Sequence, residues 1–273
     1  MPLKSYLALP VILLALVPQL SAGEWGAEAA IGANPTAYYQ EELQKQNSNF
    51  RSKITGRRHA LSFTAKLHYE WIGIRLSSDN YFSGSGKQKL DYNVPGPGNS
   101  SSRQSIENEG VDYAAARSFR GELQLRRFYY GHREIFTLNS GLLFRSVTTD
   151  LTGQPADYLP QSVSTRYLTA GISIDPLLTH FGNIELSLPI DASIGFKFPE
   201  GGLFDGGGPG AVLLAAGLRL GFEPRGAFAT AQGVLNFYDT PYSAAGAKYS
   251  FSQLDVALRL MVGYYFRDPV YHE

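Results

Sequence analysis

The chain has 273 residues, a formal net charge of zero and no cysteine. That length accommodates one large domain or two small ones. Balanced charge argues against a nucleic-acid binder, which carries a basic excess, and no thiols exist to build a disulfide scaffold.

The N-terminus has the plan of a secretory signal: Lys4, an apolar run from Tyr6 to Val17, then Ser21, Ala22 and Gly23. Cleavage is expected after Ala22, leaving a domain over 23–266 and a short periplasmic tail over 267–273. The apolar run is about a dozen residues broken by Pro10, short of the roughly 20 that a spanning helix needs. No longer apolar stretch follows. An exported chain without cysteine suits a bacterium better than a small disulfide-stapled eukaryotic scaffold.

Beyond the signal the hydrophobic period is two. Alternation runs through 25–33, 61–69, 72–77, 119–126, 136–145, 167–174, 184–197, 212–222, 227–237 and 254–266, which predicts about ten strands. The 17 Tyr, 16 Phe and 29 Gly of the chain agree with strands and tight turns. In the last strand Leu254, Val256, Leu258, Leu260, Val262, Tyr264 and Phe266 share one face, while Asp255, Ala257, Arg259, Met261, Gly263 and Tyr265 share the other. A soluble sheet would turn the apolar face to a core; a transmembrane barrel turns it to lipid.

The connections decide between these. Tyr69–Trp71, Tyr129–Glu134, Asp175–Asn183 and Glu223–Gly226 are short, whereas 34–57, 79–115, 149–162, 199–210 and 239–250 are longer and rich in Gly, Pro, Asn and Ser. Short periplasmic turns opposite longer extracellular loops are the mark of an outer-membrane barrel. Tyr69, Trp71, Tyr129, Tyr130, Tyr264, Tyr265 and Phe266 gather at the short-turn ends, where an aromatic girdle belongs.

These features together resemble Gram-negative outer-membrane β-barrels. The resemblance implies an all-β fold, a closed antiparallel transmembrane barrel, and recognition of Tyr264, Tyr265 and Phe266 by the barrel-assembly machinery. It is architectural, and RDPVYHE follows Phe266, where that class usually ends on an aromatic.

On this reading the interior face carries Glu28, Lys66, His68, Arg75, Arg120, Glu122, Arg126, Arg145, Glu185, Asp191, Lys197, Arg219, Asp255 and Arg259. A barrel of about ten strands is only slightly wider than the eight-stranded kind that side chains fill. Interleaved opposite charges are therefore expected to pair and close the lumen, with a narrow polar channel as the alternative. Asp255 and Arg259 lie about 13 Å apart along one strand, too far to pair with each other. Lys66, Arg75, Arg120 and Arg219 are the expected partners of Asp255, and Glu28 that of Arg259.

Ten strands is also the count of the omptin proteases, which resemble this chain in size, so a hydrolase is the rival class. Omptins place acidic pairs and an Asp–His pair at the extracellular rim. Here His68, His132 and His180 fall at the periplasmic side and His272 in the tail. His59 alone is near the rim, on the lipid-facing parity beside Arg57 and Arg58. Neither the His-x-Ser of lipid A deacylases nor the spaced His and Ser of outer-membrane phospholipases is present. The glycine runs at 84–86 and 206–210 lack the Lys-Ser/Thr of a phosphate loop, and five scattered histidines give no metal spacing. No cofactor is expected. Arg51, Lys53, Arg57, Arg58, Arg117 and Arg166 sit at outer strand ends, where guanidinium forks suit lipopolysaccharide phosphates. The expected protein is a monomeric, structural or surface-interaction barrel.

Overall fold

The computed structural model describes residues 25–45, 50–69, 71–82, 84–95, 101–113, 115–130, 133–148, 162–197, 209–222, 226–244 and 247–267. The expected signal, most of the 149–162 and 199–210 loops, and the tail beyond Arg267 lie outside them.

Every described element is a strand: β1 (Trp25–Lys45), β2 (Arg51–Tyr69), β3 (Ile72–Tyr81), β4 (Gly84–Pro95), β5 (Ser101–Tyr113), β6 (Ala115–Tyr130), β7 (Arg133–Thr148), β8 (Ser162–Ile174), β9 (Leu177–Phe181), β10 (Ile184–Ser187), β11 (Ile190–Lys197), β12 (Pro209–Phe222), β13 (Ala227–Ala244) and β14 (Ala247–Arg267). All pairings are antiparallel. β1 pairs with both β2 and β14, which closes the sheet on itself. A closed ladder leaves no edge within the membrane, which is what lipid demands of a sheet. The barrel has ten strands, because β8 with β9, and β10 with β11, each form one wall strand interrupted at a proline. Pro176 and Pro189 mark these breaks, where Leu188 N donates to Pro176 O at 3.1 Å and Gly217 N to Pro189 O at 3.1 Å. Proline cannot donate to a ladder, so each strand is interrupted where it falls.

The outside is apolar. Along β14, Val256, Leu258, Leu260, Val262 and Tyr264 are exposed by 41% to 61%, and Ile31, Leu61, Ile74, Leu123, Leu142, Phe144, Ile172, Leu218 and Phe237 are exposed on other strands. A continuous apolar belt of this kind is satisfied by hydrocarbon, not water. At the short-turn end Tyr69, Trp71, Phe181, Phe222 and Tyr264 are exposed and form the girdle. Tyr265 does not belong to it. Its strand parity turns it inward, where it stacks on His68 at 5.9 Å. The side chains of Tyr129 and Tyr130 lie outside the described set.

The long loops differ from the expectation. Much of 34–57 and 239–250 is strand: β1 and β14 each run 21 residues, against the 9–13 expected from the membrane span. Likewise 79–115 contains β4 and β5, with β4 pairing to the outer end of β2 from Arg51↔Asp91 to Gly56↔Gly86. Six strands (β13, β14, β1, β2, β4 and β5) thus continue beyond the barrel at its long-loop end as one sheet. Loop-like composition hid them, because Gly, Asn and Ser on a solvated two-faced sheet carry no hydrophobic period.

Candidate functional site

Among the described residues the lumen gathers ionisable groups from many strands. Strand pleating sends every second side chain inward, and two layers result.

The outer layer centres on Asp255 of β14. Its carboxylate pairs with Arg58 of β2 on one side and with Arg145 of β7 on the other, the latter at 3.1 Å. Arg58 lies between the rings of Tyr39 and Tyr81, with Cζ 4.1 Å from each centroid, and Arg145 lies 3.8 Å over Tyr238. Gln253 accepts from Arg145 Nε at 3.0 Å and donates to Tyr39 Oη and Glu41 Oε2, both at 3.2 Å. The side chains of Arg58 and Asp255 are 0% exposed. Stacked aromatic rings and two guanidiniums on one carboxylate make this layer dry and tightly ordered.

Deeper in the lumen the charges form three separate clusters. Arg75 donates to Glu122 Oε2 at 2.6 Å and also pairs with Asp191, and Arg120 pairs with the same two carboxylates. Ser173 links Asp191 to Asn139, donating at 2.8 Å and accepting at 2.7 Å. Arg259 forks onto both oxygens of Asp79 at 2.8 Å. Nearer the periplasmic end Glu28 accepts from Arg219 at 3.0 Å and faces Lys66 at 3.3 Å, with Asp175 3.9 Å from Arg219. Each cluster balances its own charge. Between them lies a cavity of about 170 Å³, lined by Glu28, Lys66, Asp79, Arg120, Asp191 and Arg259 among others. Lys66, at 26%, and Asp191, at 20%, keep some exposure, unlike the outer layer.

Eleven of the fourteen interior residues expected from sequence are thus in or beside this network: Glu28, Lys66, His68, Arg75, Arg120, Glu122, Arg145, Asp191, Arg219, Asp255 and Arg259. Glu185 sits near the periplasmic hairpin, 3.8 Å from His180, Lys197 is half-buried at the outer end of β11, and the Arg126 side chain lies outside the described set. The expected pairings change. Asp255 takes Arg58 and Arg145 in place of Lys66, Arg75, Arg120 or Arg219, and Arg259 takes Asp79 in place of Glu28.

Arg58 is the clearest correction, since it is 1% exposed and bound in the lumen, so it has no access to lipopolysaccharide. Of the other rim residues, Arg51 is paired to Glu42 at 2.8 Å, Lys53 is half-buried between Glu42 and Lys89 in the sheet register, and Arg57, Arg117 and Arg166 are exposed. His59 is exposed and contacts the Pro35 carbonyl.

No family model and no curated protein matches the sequence. Among solved structures the chain is similar to the outer membrane protease OmpT from Escherichia coli, at 11% identity and a TM-score of 0.52, over 91% of this chain and 99% of that one. It also matches the translocator domain of the autotransporter NalP from Neisseria meningitidis, at 12% identity and a TM-score of 0.35, over 94% of each chain. The fold is that of Gram-negative outer-membrane β-barrels, and the outer membrane is where its apolar belt is satisfied.

Proposed function

We propose that this protein is a non-enzymatic outer-membrane barrel whose lumen is closed by its own ion pairs and which acts through its extracellular surface. The observation that carries the reading is the Arg58–Asp255–Arg145 layer, which joins β2, β14 and β7 across the barrel with no side-chain exposure above 1%. A pore needs mobile, hydrated charges along its path. Here the guanidiniums are stacked and forked into fixed positions.

The hydrolase alternative is motivated by the fold shared with a protease. A rim base and a nucleophile must lie within hydrogen-bond reach. Among the described residues the only rim histidine, His59, turns outward to Pro35, while His68 and His180 engage Tyr265 and Glu185 at the other end. For lipopolysaccharide contact, Arg117 and Arg166 are the better placed pair. Arg166 lies opposite the exposed Phe144, and Arg117, two residues outward of the exposed Phe119, lies opposite Ser146, whose hydroxyl accepts from Ser164; Arg57 lies next to exposed Tyr38.

Proteoliposomes containing the purified barrel test both classes in one preparation. Osmotic swelling in small sugars should match empty vesicles, and incubation with peptides and lipid A should leave them intact. Swelling at porin rates overturns the closed lumen, and turnover of either substrate overturns the non-enzymatic reading.

A further inference from the structure

The hairpin β4–β5 leaves one sheet edge uncovered. Among the described residues β5 pairs with β4 alone, and residues 102–110 are exposed on both faces. Edge strands invite pairing with another strand, and proteins blunt them with proline, free charge or bulges. The opposite edge of the sheet beyond the barrel, the end of β13, carries Pro241. β5 carries no proline, and its one bulge, at Gly110 between the Gly86↔Val111 and Lys87↔Glu109 pairs, lies beyond the 103–109 stretch. Its charges are engaged on β4: Lys87 lies 2.6 Å from Glu109 and Arg103 lies 3.2 Å from Asp91. The bond from Lys87 holds the Glu109 carboxyl below its ordinary range, so that carboxylate is charged.

We propose that the β5 edge pairs antiparallel with the β5 edge of a second copy of this chain, in a register centred on Ile106. Opposed residues in such a pair share a face about 4.5–5.5 Å apart. This register sets Ile106 against itself, Gln104 against Asn108, and Arg103 against Glu109, twice over by symmetry. It covers Ile106, which is 41% exposed, sets Ser105 against Glu107, and gives each Arg103 a second carboxylate in addition to Asp91. Centring on Glu107 would oppose two glutamates; centring on Ser105 would face Ile106 with an amide.

The symmetry also fixes where the two barrels are. The two-fold axis of an antiparallel strand pair is normal to the sheet. β4 and β5 continue the wall of β2, and the normal of a barrel wall lies in the membrane plane. Rotation about that axis turns a barrel over, so the copies stand in facing membranes. The contact is a homotypic tether between cells. It deepens the surface-interaction reading, yet a barrel found to conduct would leave the tethering result unchanged.

The absence of cysteine from the chain makes the test direct. Full-length Ile106→Cys barrel is reconstituted into two differently tagged vesicle populations, mixed and mildly oxidised. Disulfide dimers should join the two tags, because directly opposed Cα atoms fall within disulfide reach. Arg117→Cys, on the outward side of β6, should give none. Vesicles bearing Arg103→Glu alone, or Glu109→Arg alone, should tether about tenfold less than wild type. Mixing the two variant populations restores both cation–anion pairs across the contact, although not the intrachain pairs with Asp91 and Lys87, and should restore tethering. Heat-modifiable gel migration confirms that each variant is folded. Dimers confined to one tag, equal yield from Arg117→Cys, or mixed variants that tether no better than either alone would overturn the proposal.

Discussion

The two layers of the lumen hold similar charges in different surroundings. In the outer layer one carboxylate, Asp255, serves two guanidiniums, and its side chain and that of Arg58 are 0% exposed. In the inner clusters the carboxylates and cations face a cavity of about 170 Å³, and Lys66 and Asp191 keep 26% and 20% exposure. A polar cavity of that size holds water, and water can replace a lost partner. The same kind of ion pair is therefore a structural lock in one layer and an adjustable contact in the other. What differs is the cost of leaving a charge alone, not the strength of the bond.

Substitutions can break or sharpen that contrast. Asp255→Ala strands two buried guanidiniums at once and should destabilise the barrel by about 3–5 kcal/mol, read from the urea unfolding midpoint in detergent. Leu258→Arg puts a charge on the lipid face. It should cost about 2–4 kcal/mol if the site is near the bilayer midplane, seen as reduced folding yield into vesicles. Arg259→Ala leaves Asp79 with Ser62, which donates to it at 2.6 Å, and with cavity water. Its cost should be about 1–3 kcal/mol, below that of Asp255→Ala on the same scale. Lys66→Ala should cost less than about 1 kcal/mol, because Arg219 still neutralises Glu28 in a hydrated setting. Equal costs for Asp255→Ala and Lys66→Ala would erase the distinction between the layers.

Which parts were legible in the sequence follows from the same geometry. Alternation at period two survives wherever one face meets lipid, so the ten wall strands and the inward parity of most charges could be read directly, except that β9 falls within the 175–183 stretch expected to be a turn. Arg58 and Asp79 share the inward parity of Lys66 and Arg75, but Arg58 reads as a strand-end residue facing lipopolysaccharide and Asp79 lies in a stretch that reads as a loop, because the greasy partner row stops at the membrane edge. Tyr39 and Glu41 were hidden for another reason. The register of β1 shifts between Asn34 and Ala37, which switches the inward row from even to odd positions. Cross-lumen partners such as Arg58 and Asp255 depend on strand tilt and stagger, and no local pattern encodes those.

The outer layer makes the closed lumen the central claim, and single barrels in planar bilayers test it most directly. Wild-type protein should show little or no steady conductance, whereas Asp255→Ala, with the lock removed, should show frequent brief openings. Large, steady conductance of porin size from the wild-type barrel would contradict the account.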